Sequence, residues 1–176
     1  MLTKGYHTLE DRGNAAEIEE WGPKLCNRSN AWLGEGYYFW DGDIYWAHDW
    51  GKKGKKDYMI FEADITIDDN TYDLVGKIAH KLEFAAIIRE LESTGFLNPG
   101  QTVTVPKVIE YIKKNIGFPY NSIRAADYPG RSLQVSFGGK YKEFMYLRER
   151  VQICLVNKNN LNLHSFKVIY PDIYVE

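Results

Sequence analysis

The strongest constraint on the fold is an alternating segment at residues 57–67. Its apolar positions recur every second residue, and most of the residues between them are polar or acidic. These apolar residues are Met59, Phe61, Ala63, Ile65 and Ile67. Successive side chains of a strand point to opposite faces, so a period of two predicts a half-buried strand, and with it a sheet.

Other segments of the chain show helical or strand patterns. Further strands are predicted at 2–8, 36–40, 120–126, 133–137, 150–157 and 165–170. Helices are predicted from Asn14 to Gly22-Pro23, from Asp43 to Trp50 with Gly51 closing it, from Gly76 to Ser93, and from Pro106 to Gly117. Asn14-Ala-Ala-Glu17 has the spacing of a capping box. The 176 residues suit one domain. We therefore predict a single α+β domain over residues 1–176.

Composition and charge exclude several classes of protein. A net charge of −2 gives no global cationic field for nucleic acid or anionic lipid. Two cysteines, Cys26 and Cys154, cannot supply a disulfide framework or a four-cysteine zinc site. The N-terminus lacks the apolar stretch of a signal peptide, and no segment is long and apolar enough for a membrane span. We expect a cytoplasmic protein that does not associate with a membrane.

The common catalytic and cofactor motifs are missing from the sequence. The four histidines lie in no His-Glu-x-x-His context, and no metal site is predicted. No Gly-x-Ser-x-Gly elbow or Walker loop occurs. Gly34-Glu-Gly36 lacks the third glycine of a dinucleotide fingerprint. These observations leave the aromatic residues as the most informative feature.

Aromatic residues make up 15% of the chain and crowd into residues 32–50. Such a cluster is either core volume or a wall for a planar ligand. Trp40, Trp46 and Trp50 are predicted to pack in the core or beneath a helix. Tyr37 and Tyr38 alternate on a strand, so one of them is expected in the core.

The order of motifs at the N-terminal end suggests a family. Tyr6-His7-Thr8 ends a first strand, a helix follows, and Gly34-Glu-Gly36-Tyr-Tyr-Phe39 opens an aromatic strand before Ala47 on the next helix. This arrangement resembles the ADP-ribosyltransferase superfamily, on the branch of diphtheria toxin and the poly(ADP-ribose) polymerases. The resemblance covers residues 5–50 well and the rest loosely. It implies two small, mostly antiparallel sheets around an NAD cleft, with flanking helices.

The resemblance also implies roles for individual residues. His7 would hydrogen-bond the adenosine ribose, and the backbone of Thr8 would hold the nicotinamide amide, where the family usually has glycine. Gly36 matches the glycine of the aromatic strand, and Tyr38 the tyrosine that stacks on nicotinamide. Tyr37 is counted with these cofactor-binding residues. Tyrosine stacking on a charged pyridinium is physically reasonable.

The family's third position, normally a glutamate on a late strand, has two candidates here. Gln152 fits by position, whereas Glu149 is the only nearby carboxylate. On a regular strand the two side chains face opposite sides, so only one can line the cleft. We favour Gln152 by position, although an amide carries no negative charge to stabilise an oxocarbenium ion.

The resemblance therefore implies a bacterial or phage mono-ADP-ribosyltransferase, a glycosyltransferase that uses NAD as its substrate. His7, Tyr38 and Gln152 or Glu149 would be its catalytic residues. Its partners would be a macromolecular acceptor, either protein or nucleic acid, and, if it acts as a toxin or in phage defence, an antitoxin. Two alternatives stay open: an NAD- or ADP-ribose-binding module of the same fold with weak catalysis, and an unrelated α+β interaction protein.

Overall fold

The structure, a computed structural model, describes residues 1–54, 57–94, 102–126, 133–138 and 143–175. Its helices are α1 (Ala15–Trp21), α2 (Ile44–Gly54), α3 (Ile78–Ser93) and α4 (Val105–Tyr111), which continues as a π turn over Ile112–Ile116. Its strands are β1 (Leu2–Glu10), β2 (Tyr37–Asp41), β3 (Tyr58–Thr66), β4 (Thr71–Asp73), β5 (Ser122–Ala126), β6 (Leu133–Phe137), β7 (Glu143–Arg148), β8 (Val151–Leu155) and β9 (Leu161–Tyr170). The predicted α+β class is confirmed.

The described strands form one mixed sheet of seven strands and a separate hairpin. The order in the large sheet is β4-β5-β8-β2-β1-β3-β9, and only the β4–β5 pair is parallel. Strands β6 and β7 form the hairpin. The sheet is larger than the pair of small sheets expected from the sequence. Its two halves join through β1 and β2, which share only the pairs Gly5–Asp41 and Tyr6–Trp40.

Helices cover both faces of the large sheet. One core cluster lies beside α1 and includes Ile18, Phe39 and Phe61. A second cluster packs residues of α3 and α4 against β4, β5 and β8. A third lies beneath α2 and contains Trp46 and Ile60. The sheet is therefore buried between helices over much of its area.

The alternating segment forms strand β3, as predicted. Phe61, Ala63 and Ile65 are fully buried, and Glu62 and Asp64 between them are partly exposed. At the start of the strand the alternation ends, because α2 covers the opposite face and buries Tyr58 and Ile60 there as well. Both faces of β3 are thus covered near its start.

Two local predictions at helix ends are wrong. The Asn14 side chain makes no capping hydrogen bond to the backbone, and its Nδ2 donates to the Glu17 carboxylate at 3.0 Å, so the two side chains bond to each other. Gly51 does not close α2, which continues to Gly54. A Cβ at residue 51 would lie 2.4 Å from a ring carbon of Tyr58, so the glycine allows the helix to approach the sheet closely.

Candidate functional site

A cavity opens where β1 and β2 separate. Beyond the Tyr6–Trp40 pair the two strands no longer bond to each other, and the loop between α1 and β2 lies over the gap. The cavity has a volume of about 560 Å³, within the roughly 300–1,000 Å³ of small-molecule sites. Residues 24–28 and 30–32 of this covering loop line it.

The cavity brings together some of the predicted site residues and leaves others out. His7 and Thr8 from β1, Tyr38 from β2 and Gln152 from β8 line it. Gly36, Tyr37 and Glu149 are not among the lining residues. The four that meet are separated by as many as 145 positions in the chain (from His7 to Gln152) and are assembled by the sheet pairing.

His7 is buried, with 6% of its surface exposed. Its Nδ1 lies 2.7 Å from the Tyr38 carbonyl oxygen, and because a carbonyl can only accept, Nδ1 is the donor. The Lys24 amide donates to Nε2 over 3.4 Å. The imidazole therefore bridges the gap between β1 and β2 and contacts the covering loop. A ribose hydroxyl that bonds Nε2 must replace the Lys24 amide.

Thr8 turns its hydroxyl toward α2. Its Oγ1 donates to the Ala47 carbonyl oxygen at 3.0 Å. The side chain thus anchors the helix that follows the aromatic strand. Thr8 is also one of the residues that line the cavity.

The Tyr38 hydroxyl makes two hydrogen bonds to the backbone. The hydroxyl donates to the Gly34 carbonyl oxygen at 2.7 Å and accepts from the Leu33 amide at 3.0 Å. Burial raises the pKa of this phenol well above its usual value, so it is neutral at physiological pH. Strand alternation puts Tyr38 and Phe39 on opposite faces. Both still line the cavity, because it lies at the strand separation.

Gln152 faces the cavity and Glu149 does not. Only 8% of Gln152 is exposed, and its Oε1 accepts a hydrogen bond from the Trp32 indole. Glu149 precedes β8 with an exposed side chain, and its carbonyl oxygen accepts from the Trp46 indole at 3.0 Å. Of the two candidates, Gln152 is therefore the one that lines the cavity.

Gly36 and Tyr37 were predicted to contact a cofactor, but their surroundings are structural. A Cβ at residue 36 would lie 2.5 Å from Cys154 Sγ and 2.6 Å from the Leu155 carbonyl oxygen. Gly36 thus lets the loop pass close to β8, and it pairs with Cys26. Tyr37 packs against the core beside α1, with Lys158 Nζ 5.0 Å from its ring centre. Tyr38 packs against the core cluster of α3 and α4, so both adjacent tyrosines contact core residues and not only one of them.

Sequence reasoning missed Arg150. This side chain is 2% exposed and lines the cavity, with its Cζ 4.6 Å from the Trp40 ring centre and 5.2 Å from that of Trp46. One of its terminal nitrogens lies 3.4 Å from Asp49 Oδ2. Its position two residues before Gln152 is a signal that strand alternation could have used. Trp40 is buried in the third core cluster, as predicted, and also lines the cavity.

The charge of the cavity differs from that of the whole chain. Its wall contains three basic side chains, Lys24, Arg28 and Arg150, and none of the described lining residues carries a carboxylate. Trp32 and Trp50 add aromatic surface. Such a wall suits a ligand that combines planar rings with negative charge.

Searches for metal sites, membrane helices and relatives all give negative results. Within the described part of the chain no cluster of three or more His, Cys, Asp or Glu side chains could hold a metal ion. In the same part of the chain, no helix is long and apolar enough to span a membrane. No protein-family model, curated protein or solved structure matches this chain.

Proposed function

We propose that the protein is an NAD-dependent mono-ADP-ribosyltransferase. The observation that carries the proposal is the convergence of His7, Thr8, Tyr38 and Gln152 on one cavity. The resemblance implies a role in NAD chemistry for each of them. A cavity of about 560 Å³ with basic and aromatic walls fits the pyrophosphate and the two rings of a dinucleotide.

The chemistry is cleavage of the bond between nicotinamide and ribose. The electron pair of this bond leaves with nicotinamide, which is thereby neutral, and an oxocarbenium-like ribose cation develops. A lone pair of the acceptor then forms the new bond to the same carbon, and the acceptor loses a proton to solvent. Little acid–base chemistry is required, so orientation and charge stabilisation supply most of the rate.

The residues at the cavity would share these tasks. His7 and the Thr8 backbone would orient the two ends of NAD, and Tyr38 would offer its ring to nicotinamide. Arg150, Lys24 and Arg28 would hold the pyrophosphate through charge-assisted hydrogen bonds. Gln152 would donate a hydrogen bond to the nicotinamide ribose from its amide nitrogen, since its Oε1 already accepts from Trp32.

A second function is favoured by one observation: none of the described residues that line the cavity carries a carboxylate. Without a negative charge near the ribose, a transferase loses part of its transition-state stabilisation. The same cavity would then serve an NAD- or ADP-ribose-binding module that does not transfer the group. Binding without turnover is the property that separates the two functions.

The experiment is incubation of the protein with NAD labelled in the adenylate phosphate, together with a cell lysate. A transferase puts label on a macromolecule, and nuclease and protease digestion then show which class carries it. A binding module retains NAD in equilibrium dialysis and labels nothing. Failure to retain NAD and to label any macromolecule would contradict both functions.

A further inference from the structure

A chain of contacts between aromatic rings and arginine side chains leads from one side of the cavity to the surface. Arg150 lies between the rings of Trp40 and Trp46. Trp40 also contacts Trp50, with ring centres 6.3 Å apart, and Trp46 contacts Tyr45 at 5.0 Å. Arg148 covers the Tyr45 ring, with its Cζ 4.4 Å from the ring centre. We call these six residues the aromatic–arginine stack.

The ends of this stack are open to solvent. Trp50 is 42% exposed and Tyr45 is 47% exposed, whereas Trp40 and Trp46 are buried. The Arg148 side chain is 39% exposed. The stack therefore runs from the cavity wall, where Arg150 and Trp40 lie, to two exposed rings and an exposed guanidinium.

Two aspartates hold the arginines in place. Asp43 accepts from Arg148 Nε at 2.7 Å, and Asp49 lies 3.4 Å from Arg150. Asp49 also pairs with Lys53 at 2.8 Å. These pairs fix the guanidinium planes against the rings, while Arg28 and Lys24 extend the positive charge across the cavity. Fixed aromatic faces with adjacent cations are the features that bind single-stranded nucleic acid.

We propose that the acceptor of the transferred ADP-ribose is a single-stranded nucleic acid bound on the aromatic–arginine stack. One base stacks on Trp50 and another on Tyr45, and a phosphate of the strand beyond Tyr45 contacts Arg148. The strand then passes the mouth of the cavity, where a base nitrogen or hydroxyl attacks the ribose carbon as nicotinamide leaves. This inference rests on the proposed function for the transfer, but strand binding itself requires no NAD.

The test measures binding in the absence of NAD. The probe is a fluorescein-labelled oligothymidylate or oligouridylate of about 12 nucleotides, since single-strand sites span roughly 4–16 nucleotides. Anisotropy is compared with that of a duplex of the same length. We expect a single strand to bind, more tightly than the duplex, and affinity to fall as salt rises. The two oligonucleotides separate DNA from RNA as the source of the strand.

Matched variants locate the site. Trp50→Ala and Tyr45→Ala should each weaken binding by roughly five- to 100-fold, because one stacked base is lost, and Trp50→Phe should retain most of the affinity. Arg148→Met should weaken binding and reduce its salt dependence, whereas Arg89→Met, on an exposed site of α3, should leave both unchanged. Thermal melting of each variant confirms that it is folded.

Several results would overturn the inference. Absence of binding to both single strands, tighter binding to the duplex, or equal affinity of all variants would each contradict it. Label from NAD on protein alone would refute a nucleic-acid acceptor and leave the proposed transferase function intact. Strand binding without NAD cleavage would overturn the acceptor role and the transferase function together.

Discussion

At the scale of single residues, Tyr38 shows how one side chain can serve both the fold and the site. Its hydroxyl links the Leu33 amide to the Gly34 carbonyl, and so fixes the loop that leads into β2. Tyr38 also lines the cavity and packs against the core cluster of α3 and α4. The same residue therefore fixes the loop and forms part of the cavity lining.

Removing the Tyr38 hydroxyl should lower the free energy of unfolding. Tyr38→Phe removes two hydrogen bonds and should cost about 1–3 kcal/mol of unfolding free energy, because the Leu33 and Gly34 backbone groups lose their partner. Urea denaturation provides the measurement. Tyr37→Phe is the matched control, because it removes the neighbouring hydroxyl from the opposite face of β2. Equal stability of the Tyr38→Phe protein and the parent would contradict this role.

Gly36 should tolerate no side chain. A Cβ there meets Cys154 Sγ at 2.5 Å and the Leu155 carbonyl oxygen at 2.6 Å, and the backbone of β8 cannot easily move away. Gly36→Ala should therefore lower the unfolding free energy by about 1–3 kcal/mol. At Gly138 a Cβ meets no atom of the described residues within 4 Å, so Gly138→Ala should change the unfolding free energy by less than about 0.5 kcal/mol. Similar urea midpoints for both variants would refute the close approach.

Some of the site was predictable at this scale and some was not. His7, Thr8, Tyr38 and Gln152 reach the cavity, as a motif order and strand alternation suggested. Gly36 and Tyr37 do not, because a motif gives positions along a strand but not which face turns to the ligand. Arg150 was missed since its contacts with Trp40 and Trp46 depend on pairing between distant segments.

At the scale of elements, most helices and strands lie where the patterns predict them. The long helix and the strand at β3 follow directly from apolar periodicity. The three residues of β4 were missed, because such a short segment has no detectable period and is stabilised by parallel pairing with β5. Strand β9 begins before the predicted residue 165, and its pairing with β3 is irregular.

Packing of α2 on the sheet should make stability depend on pH through His48. Burial, together with the nearby charge of Lys52, lowers the pKa of this imidazole. The unfolded chain, with a histidine pKa near 6.5, then binds the proton more readily than the folded protein. The contribution of His48 to stability is therefore complete above about pH 6.5 and is lost as pH falls toward the folded pKa.

Urea unfolding between about pH 5 and 8 tests this sign. The unfolding free energy of the parent, relative to that of His48→Gln, should fall as the pH is lowered. His48 Nδ1 lies 3.0 Å from the Tyr58 hydroxyl. If this difference in unfolding free energy stays constant over the pH range, the pKa of His48 is the same in the folded and unfolded states.

At the scale of the whole molecule, the sheet determines the site. Two halves of a seven-stranded sheet meet at the short β1–β2 ladder, and the cavity forms where that ladder ends. The α+β class is predicted because apolar residues recur with helical spacing in some segments and with strand spacing in others. It could not predict the strand order, because the pairing of β8 with β2 and of β9 with β3 joins segments about 100 residues apart, and no local pattern encodes it.

Ligand binding to this cavity should stabilise the whole fold. NAD at about 100 times its dissociation constant should add about 2.7 kcal/mol to the unfolding free energy. Adenosine, which lacks the pyrophosphate that Lys24, Arg28 and Arg150 would contact, should bind more weakly and stabilise less at equal concentration. The shift of the urea midpoint measures both. Equal shifts of the urea midpoint with NAD and with adenosine would argue that Lys24, Arg28 and Arg150 do not bind the pyrophosphate.

The most direct test of the central claim is single-turnover release of nicotinamide from NAD. The parent protein should release it, and Gln152→Ala should do so roughly 10²–10³ times more slowly with little change in NAD affinity, because the lost hydrogen bond acts mainly in the transition state. Glu149→Gln should match the parent. No release by a parent protein that binds NAD, or loss of activity in Glu149→Gln with full activity in Gln152→Ala, would contradict the account.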